Sequence, residues 1–235
     1  ELDNLPLKHV NIIRFPVHPL ETLYRPQNLR YSRYHIYSAL LTAELAKYIA
    51  AQIQAKEREN WVIGIICPYK AQSLLVEKII NSQNLYFPKA KILCGTIHSF
   101  QGDECDIMIN LFNPPLSISK SPNMFLNRRN IVNVAISRAK DYLILLIPDK
   151  NTDKVRNLEE IGRMLDFIRG NLKGSYWEKD SAKIEEAIFN SANYLENNTF
   201  ATTHQSINVY TEPEKQFEIR VEEMAVDVQV RSEFL

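Results

Sequence analysis

Three short clusters hold the residues whose types could do chemistry: 68–72 (PYKAQ), 95–104 (GTIHSFQGDE) and 133–140 (NVAISRAK). The first two directly follow apolar runs, and the third lies on a short apolar helical segment. Their side chains suit a phosphorylated ligand. A guanidinium neutralises charge spread over phosphoryl oxygens, hydroxyl and imidazole groups bond phosphate oxygens without reading a base, and glycine lets a backbone come close. Taken singly, each residue has an ordinary reading as well. Arg138 fits a surface ion pair, Glu104 an acidic turn, His98 a satisfied structural histidine and Lys70 a solvated chain, while Lys140 either assists with phosphate or faces solvent.

The elements that must position these clusters alternate. Residues 9–15 (HVNIIRF), 61–67 (WVIGIIC), 91–96 (KILCGT), 106–112 (DIMINLF) and 142–147 (YLILLI) are apolar, β-branched runs, three of them stopped by Pro16, Pro68 and Pro148. Such runs predict strands, most of them covered on both faces. Between them, Leu41, Leu45, Tyr48, Ile49 and Ile53 recur at helical spacing within 38–56, predicting an amphipathic helix, and a second helix is predicted over 71–81. Residues 130–139 predict a short helix that is apolar on nearly every side. The connection 113–129 carries three prolines among Ser and Asn and predicts a mobile surface loop. At its end Asn127, Arg128 and Arg129 make a basic spot, either a nucleic-acid contact or a solvated turn. Alternating strands and helices imply a mainly parallel sheet with helices on both faces, with ligands outside the carboxyl ends of the strands. After residue 149 the texture changes: helical patterns at 155–172 and 181–197, then alternating segments at 206–210 and 217–230.

The order PYxxQ, then TxHSFQGDExD (96–106), then NVAISRAK about 30 residues later resembles motifs IV, V and VI of superfamily 1 helicases, in the branch of the nonsense-mediated decay helicase and its DNA-processing relatives. The resemblance covers 61–149, extends back to residue 9, and does not explain the tail. It implies an α/β fold of the RecA-like, P-loop NTPase type in three layers, with 1–150 as the second (C-terminal) motor domain and 151–235 as an α+β extension. By the same resemblance Arg138 is the arginine finger and the catalytic residue. Glu104 bonds the nucleotide near the ribose and phosphates, Gly102 admits the backbone's close approach, and Tyr69 and Gln72 shape the nucleotide cleft. Thr96 and His98 meet the sugar-phosphate backbone, and Gln101 couples the two sites. The implied ligands are ATP and Mg2+, bound mainly by a preceding domain. The implied partners are single-stranded DNA or RNA and the N-terminal RecA-like domain of the same polypeptide. Tyr24-Arg25 resembles a Tyr-Arg pair of the family that contacts nucleotide, but it follows the first strand, so the role is not carried across.

A motor of this kind also needs a Gly-rich phosphate loop with its Lys and Ser/Thr, and an acidic metal ligand on a neighbouring strand. None of the six glycines, Gly64, Gly95, Gly102, Gly162, Gly170 and Gly174, begins GxxxxGK[ST]. The chain alone is therefore expected to bind ATP weakly and not to hydrolyse it. Two explanations stand: a domain of a longer helicase, or a free-standing interaction module with a helicase-like fold and no ATPase activity. A third, an unrelated doubly wound nucleotide binder, requires the three motifs to coincide by chance. The chain begins with Glu1 rather than Met, as a segment of a longer polypeptide or a processed product would.

Composition bounds these readings. With 45% hydrophobic and 24% charged residues over 235 positions, the chain has the make-up of a folded soluble domain able to bury a sizeable core. Lys plus Arg equals Asp plus Glu at 28 each, so any polyanion contact must come from a local patch. Cys67, Cys94 and Cys105 have no metal or disulfide spacing and read as buried reduced thiols, which fits a cytoplasmic location. No metal ligand set, membrane span or signal peptide is visible.

Overall fold

The computed structural model describes residues 5–18, 20–21, 23–29, 32–82, 85–100, 104–113, 125–149, 157–201, 206–212 and 215–220. In chain order the elements are β1 (Val10–Phe15), β2 (Gln27–Leu29), β3 (Ser32–Tyr34), α1 (Ile36–Ile53), β4 (Trp61–Cys67), α2 (Lys70–Asn81), β5 (Ala90–Thr96), β6 (Cys105–Leu111) and α3 (Arg129–Ile136). There follow β7 (Ala139–Pro148), α4 (Glu159–Asn171), β8 (Tyr176–Asp180), α5 (Ser181–Phe189), α6 (Tyr194–Asn198), β9 (Thr199–Ala201), β10 (Ser206–Glu212) and β11 (Lys215–Arg220). Single 3-10 turns lie at Ile97–Phe100 and Phe125–Asn127.

Six strands form one sheet in the order β5-β4-β6-β7-β1-β8, and every pairing in it is parallel. The central strand β6 is buried along its whole length, as its unbroken apolar run demands. Ile13, Phe15, Ile63, Ile65, Ile107, Ile109, Ile144 and Leu146 pack against α1, α2 and α5 on one face. On the other, Ile12, Leu145 and Ile147 pack against α3 and α4, and Ile66, Cys105 and Met108 lie with Ile97 and Phe100 of the first 3-10 turn. This is the three-layer α/β arrangement of RecA-like P-loop NTPases. Cys67 and Cys105 are buried and Cys94 half-buried, and none of the three is in a disulfide. No described helix is long and apolar enough to cross a membrane.

The sheet does not stop at residue 150. β8, from the segment read as a separate tail, pairs with β1 as an edge strand. Its sequence, YWEKD, carries no apolar alternation. A charge cluster accompanies its pairing: Arg14 Nε donates to Glu178 Oε1 at 2.8 Å, and Arg169 of α4 donates to the same carboxylate. Burial works to raise the Glu178 pKa, but the bonds from Arg169 and Arg14 outweigh it and hold the carboxyl below its usual range.

Two helices also differ from expectation. α1 is buried on nearly every side, not one, because α5 and α6 cover the face that amphipathicity would leave to water. Several of its polar groups are matched within the helix: Lys47 Nζ bonds Glu44 Oε1 at 2.5 Å, and Thr42 Oγ1 donates to the Ser38 carbonyl at 2.6 Å. The pattern over 181–197 is two helices, broken where Asn190 takes a left-handed conformation (φ 56°) at the end of α5. Beyond them β9, β10 and β11 make a small antiparallel sheet in the order β11-β10-β9. Of the surface loop expected over 113–129, residues 114–124 lie outside the described residues, as does the end of the tail, 221–235. The described part departs from expectation, with Asn113, Leu126 and Asn127 buried, a 3-10 turn at Phe125–Asn127 and α3 beginning at Arg129.

Candidate functional site

Parallel strands give the sheet two distinct edges, and the candidate residues divide between them. At the carboxyl edge, the last residues of β4 and β5, Cys67 and Thr96, are paired. Thr96 is half-buried. Its N–H donates to Ser99 Oγ at 3.1 Å, and the two hydroxyls lie 3.1 Å apart. Gly95 makes this turn possible, since a Cβ there would sit 2.9 Å from the Ser99 Cβ. His98, on the same 3-10 turn, is exposed and makes no hydrogen bond among the described residues.

Tyr69 and Gln72 share this edge but are turned inward. Gln72 is fully buried and clasps the entry to α1: the His35 N–H donates to its Oε1 at 2.6 Å, and its Nε2 donates to the His35 carbonyl at 3.2 Å. Its amide is thus spent on holding two helix starts together. Tyr69 is buried with the Arg33 guanidinium 5.4 Å from its ring centre and Phe125 at 5.9 Å. Burial pushes its hydroxyl up to about 12, against the lowering effect of Arg33. In the basic spot, Asn127 has a structural task, accepting from the Glu159 N–H at the start of α4 at 3.1 Å, while Arg128 and Arg129 are exposed.

Arg138 and Glu104 occupy the opposite, amino edge. Cys105 opens β6 and Ala139 opens β7, and these two residues are paired. The Cys105 N–H donates to the Arg138 carbonyl at 2.9 Å, so Glu104 and Arg138, from separate stretches of chain, stand side by side just below adjacent strands. Glu104 is exposed and Arg138 half-buried. Neither forms an ion pair among the described residues, and the Arg138 Nε is buried with no hydrogen-bond partner. A buried, unmatched guanidinium nitrogen costs free energy, which an incoming oxyanion would recover.

Glu104 and Arg138 are backbone neighbours at the amino edge, opposite the carboxyl edge where the sheet geometry predicts ligands. Tyr69 and Gln72 do not join them, since the seven residues of β6 separate the two edges, roughly 20 Å at strand geometry. Gln101 and Gly102 lie outside the described residues. Sequence reasoning missed Asp106, although it closes the quoted TxHSFQGDExD run. It is buried and its Oδ2 accepts the Val62 N–H at 2.8 Å. Arg58, in the loop before β4, was also missed; nothing in its local sequence marks it.

The fold and the two edges define a RecA-like α/β domain. The AAA domain family, AAA_12, matches residues 9–150, more than half of the chain, and the chain belongs to it. A segment of 91 residues, 38% of the chain, is 38% identical to part of replicase polyprotein 1ab of Alphamesonivirus 1. The matched segment spans only 2% of that polyprotein's length. Family and relative together support a helicase-like domain.

Proposed function

We propose that this chain is the second motor domain of an ATP-dependent superfamily 1 helicase, of the nonsense-mediated decay helicase branch, and that it completes an ATP site whose phosphate loop and Mg2+ ligands belong to a preceding domain. The observation that carries the reading is the buried Arg138 Nε, without a hydrogen-bond partner, beside exposed Glu104 at one rim of the sheet. Arg138 neutralises charge developing on the transferred phosphoryl oxygens, and Glu104 bonds the nucleotide's polar groups. Mg2+ is assigned to the preceding domain, with the phosphate loop.

The carboxyl edge takes the nucleic acid. Thr96 and His98 present a hydroxyl and an imidazole to a sugar-phosphate backbone, with Arg128 and Arg129 exposed at the start of α3 on the same edge. ATP at one rim and single strand at the other fits a motor in which nucleotide closes the cleft between two domains that both grip the strand.

The test uses the intact gene product. Arg138→Ala is expected to lower strand-stimulated ATPase by about 10³-fold or more while leaving ATP binding in place. Thr96→Ala is expected to weaken single-strand binding without that loss of ATP turnover at saturating strand. Wild-type turnover in Arg138→Ala removes the finger assignment. An intact protein with no strand-stimulated ATPase is instead an interaction module built on this fold.

A further inference from the structure

Just above Arg138 the sheet carries an irregularity. Cys105 pairs with Ala139 but Ile107 pairs with Tyr142, so between these pairs β6 advances two residues and β7 three. The extra residue is a bulge in β7 at Lys140 and Asp141. Bulges re-aim the neighbouring chain and are common beside functional sites. Left alone, a bulge at the end of a strand would leave the segment carrying Arg138 free to shift against the one carrying Glu104.

Arg58 ties the two together from outside the strands. Its Nη1 donates to Asp141 Oδ2 at 2.8 Å, on the bulge, and its Nη2 pairs with Asp106 Oδ1 on β6. The guanidinium lies 4.2 Å from the Trp61 ring centre, which fixes its plane. Asp106 is buried, and its second oxygen takes the Val62 N–H of β4, so this carboxylate joins β6 to β4 and, through Arg58, to β7, and removing Arg58 takes away the cation that pairs with it. On the far side His9 stacks on Tyr142, and its carbonyl accepts the Leu143 N–H at 2.8 Å. The bulge is thus held from both flanks. The two carboxylates take different Nη atoms of one rigid planar fork, a spacing that the single ammonium nitrogen of lysine does not reproduce.

We propose that Arg58 is a positioning residue: it clamps the β7 bulge to β6 so that Arg138 and Glu104 keep a fixed relative placement at the amino rim. The assignment rests on the nucleotide-site reading above. It explains why an arginine with no motif of its own joins the last aspartate of the 96–106 motif.

Arg58→Ala and Arg58→Lys in the intact protein test it. Arg58→Ala is expected to lower strand-stimulated kcat by about 10- to 100-fold, the scale of a small misplacement of a reacting group, with KM for ATP and single-strand affinity unchanged. Arg58→Lys is expected to recover part of that loss. Hydrogen exchange should quicken in Cys105–Leu111 and Ala139–Pro148 of Arg58→Ala and stay unchanged in Val10–Phe15. If exchange rises through β1 as well, Asp141→Asn decides, because it releases the bulge while keeping the Arg58–Asp106 pair: a matching fall in kcat supports the clamp and wild-type kcat overturns it. Unchanged kcat in Arg58→Ala, with Arg138→Ala still inactive, overturns the clamp and leaves the nucleotide-site reading standing. Wild-type kcat in both Arg58→Ala and Arg138→Ala overturns both.

Discussion

His35 illustrates how a residue outside every motif sets the stage for those inside one. It is fully buried, caps α1 by accepting the Ser38 N–H through Nδ1 at 3.2 Å, and bonds the Tyr24 carbonyl through Nε2 at 2.7 Å. Its backbone is what Gln72 clasps, so the motif glutamine shapes the domain through this histidine. Burial pulls the His35 pKa from 6.5 down to about 4, with the bond to Tyr24 offsetting only part of that. As pH falls through this window the unfolded chain takes up a proton that the fold refuses, so stability is lost progressively toward pH 4, by about 3 kcal/mol in all. His35→Asn retains a capping side chain without the titration. Denaturant unfolding at pH 7 and pH 4.5 is expected to show a smaller acid loss in His35→Asn than in wild type. An identical loss would mean another group governs it. At this scale the sequence was a partial guide: the identities of Arg138, Glu104 and Thr96 stood out in motifs, but Gln72 showed no sign of being consumed by a backbone thirty-odd positions earlier.

Among the elements, β4, β6 and β7 were legible because buried parallel strands require uninterrupted apolar runs, and proline marks where two of them end; β5, half-buried at the sheet edge, showed as the shorter run KILC. β8 was not, because an edge strand held by Arg14 and Arg169 around Glu178 needs no apolar pattern. The full burial of α1 was hidden for a related reason, since what covers it comes from α5 and α6, far along the chain. Gly64 shows how tightly β4 and β6 are fitted: a Cβ there would lie 2.6 Å from Cys105 Sγ and 2.8 Å from Met108 Cε. The flexible end of Met108 can retreat, whereas Cys105 is anchored to the Arg138 carbonyl. Gly64→Ala is therefore expected to cost about 1–3 kcal/mol in denaturant unfolding, and Cys105→Ala in the same chain is expected to return much of it. Equal losses in the single and double variants would show that the strain lies elsewhere.

Over the whole molecule, the parallel sheet works as a partition. Thr96 and His98 stand at one edge, together with the inward-turned Tyr69 and Gln72, and Arg138 and Glu104 at the other, with buried β6 running between them. Sequence order alone could not reveal this division, because Thr96 and Glu104 are close in the chain, yet one closes β5 and the other precedes β6, two strands that run in the same direction. Under the proposed function, the sheet that carries both edges would couple an ATP site to a grip on a strand. The central claim is that Arg138 meets the phosphoryl group only as charge develops on it, which a transition-state mimic reads directly. Measured on the intact protein with single strand present, the affinity for ADP with aluminium fluoride is expected to fall at least 100-fold in Arg138→Ala, while affinity for ADP alone stays at the wild-type value; equal affinity of wild type and Arg138→Ala for the mimic would contradict the account.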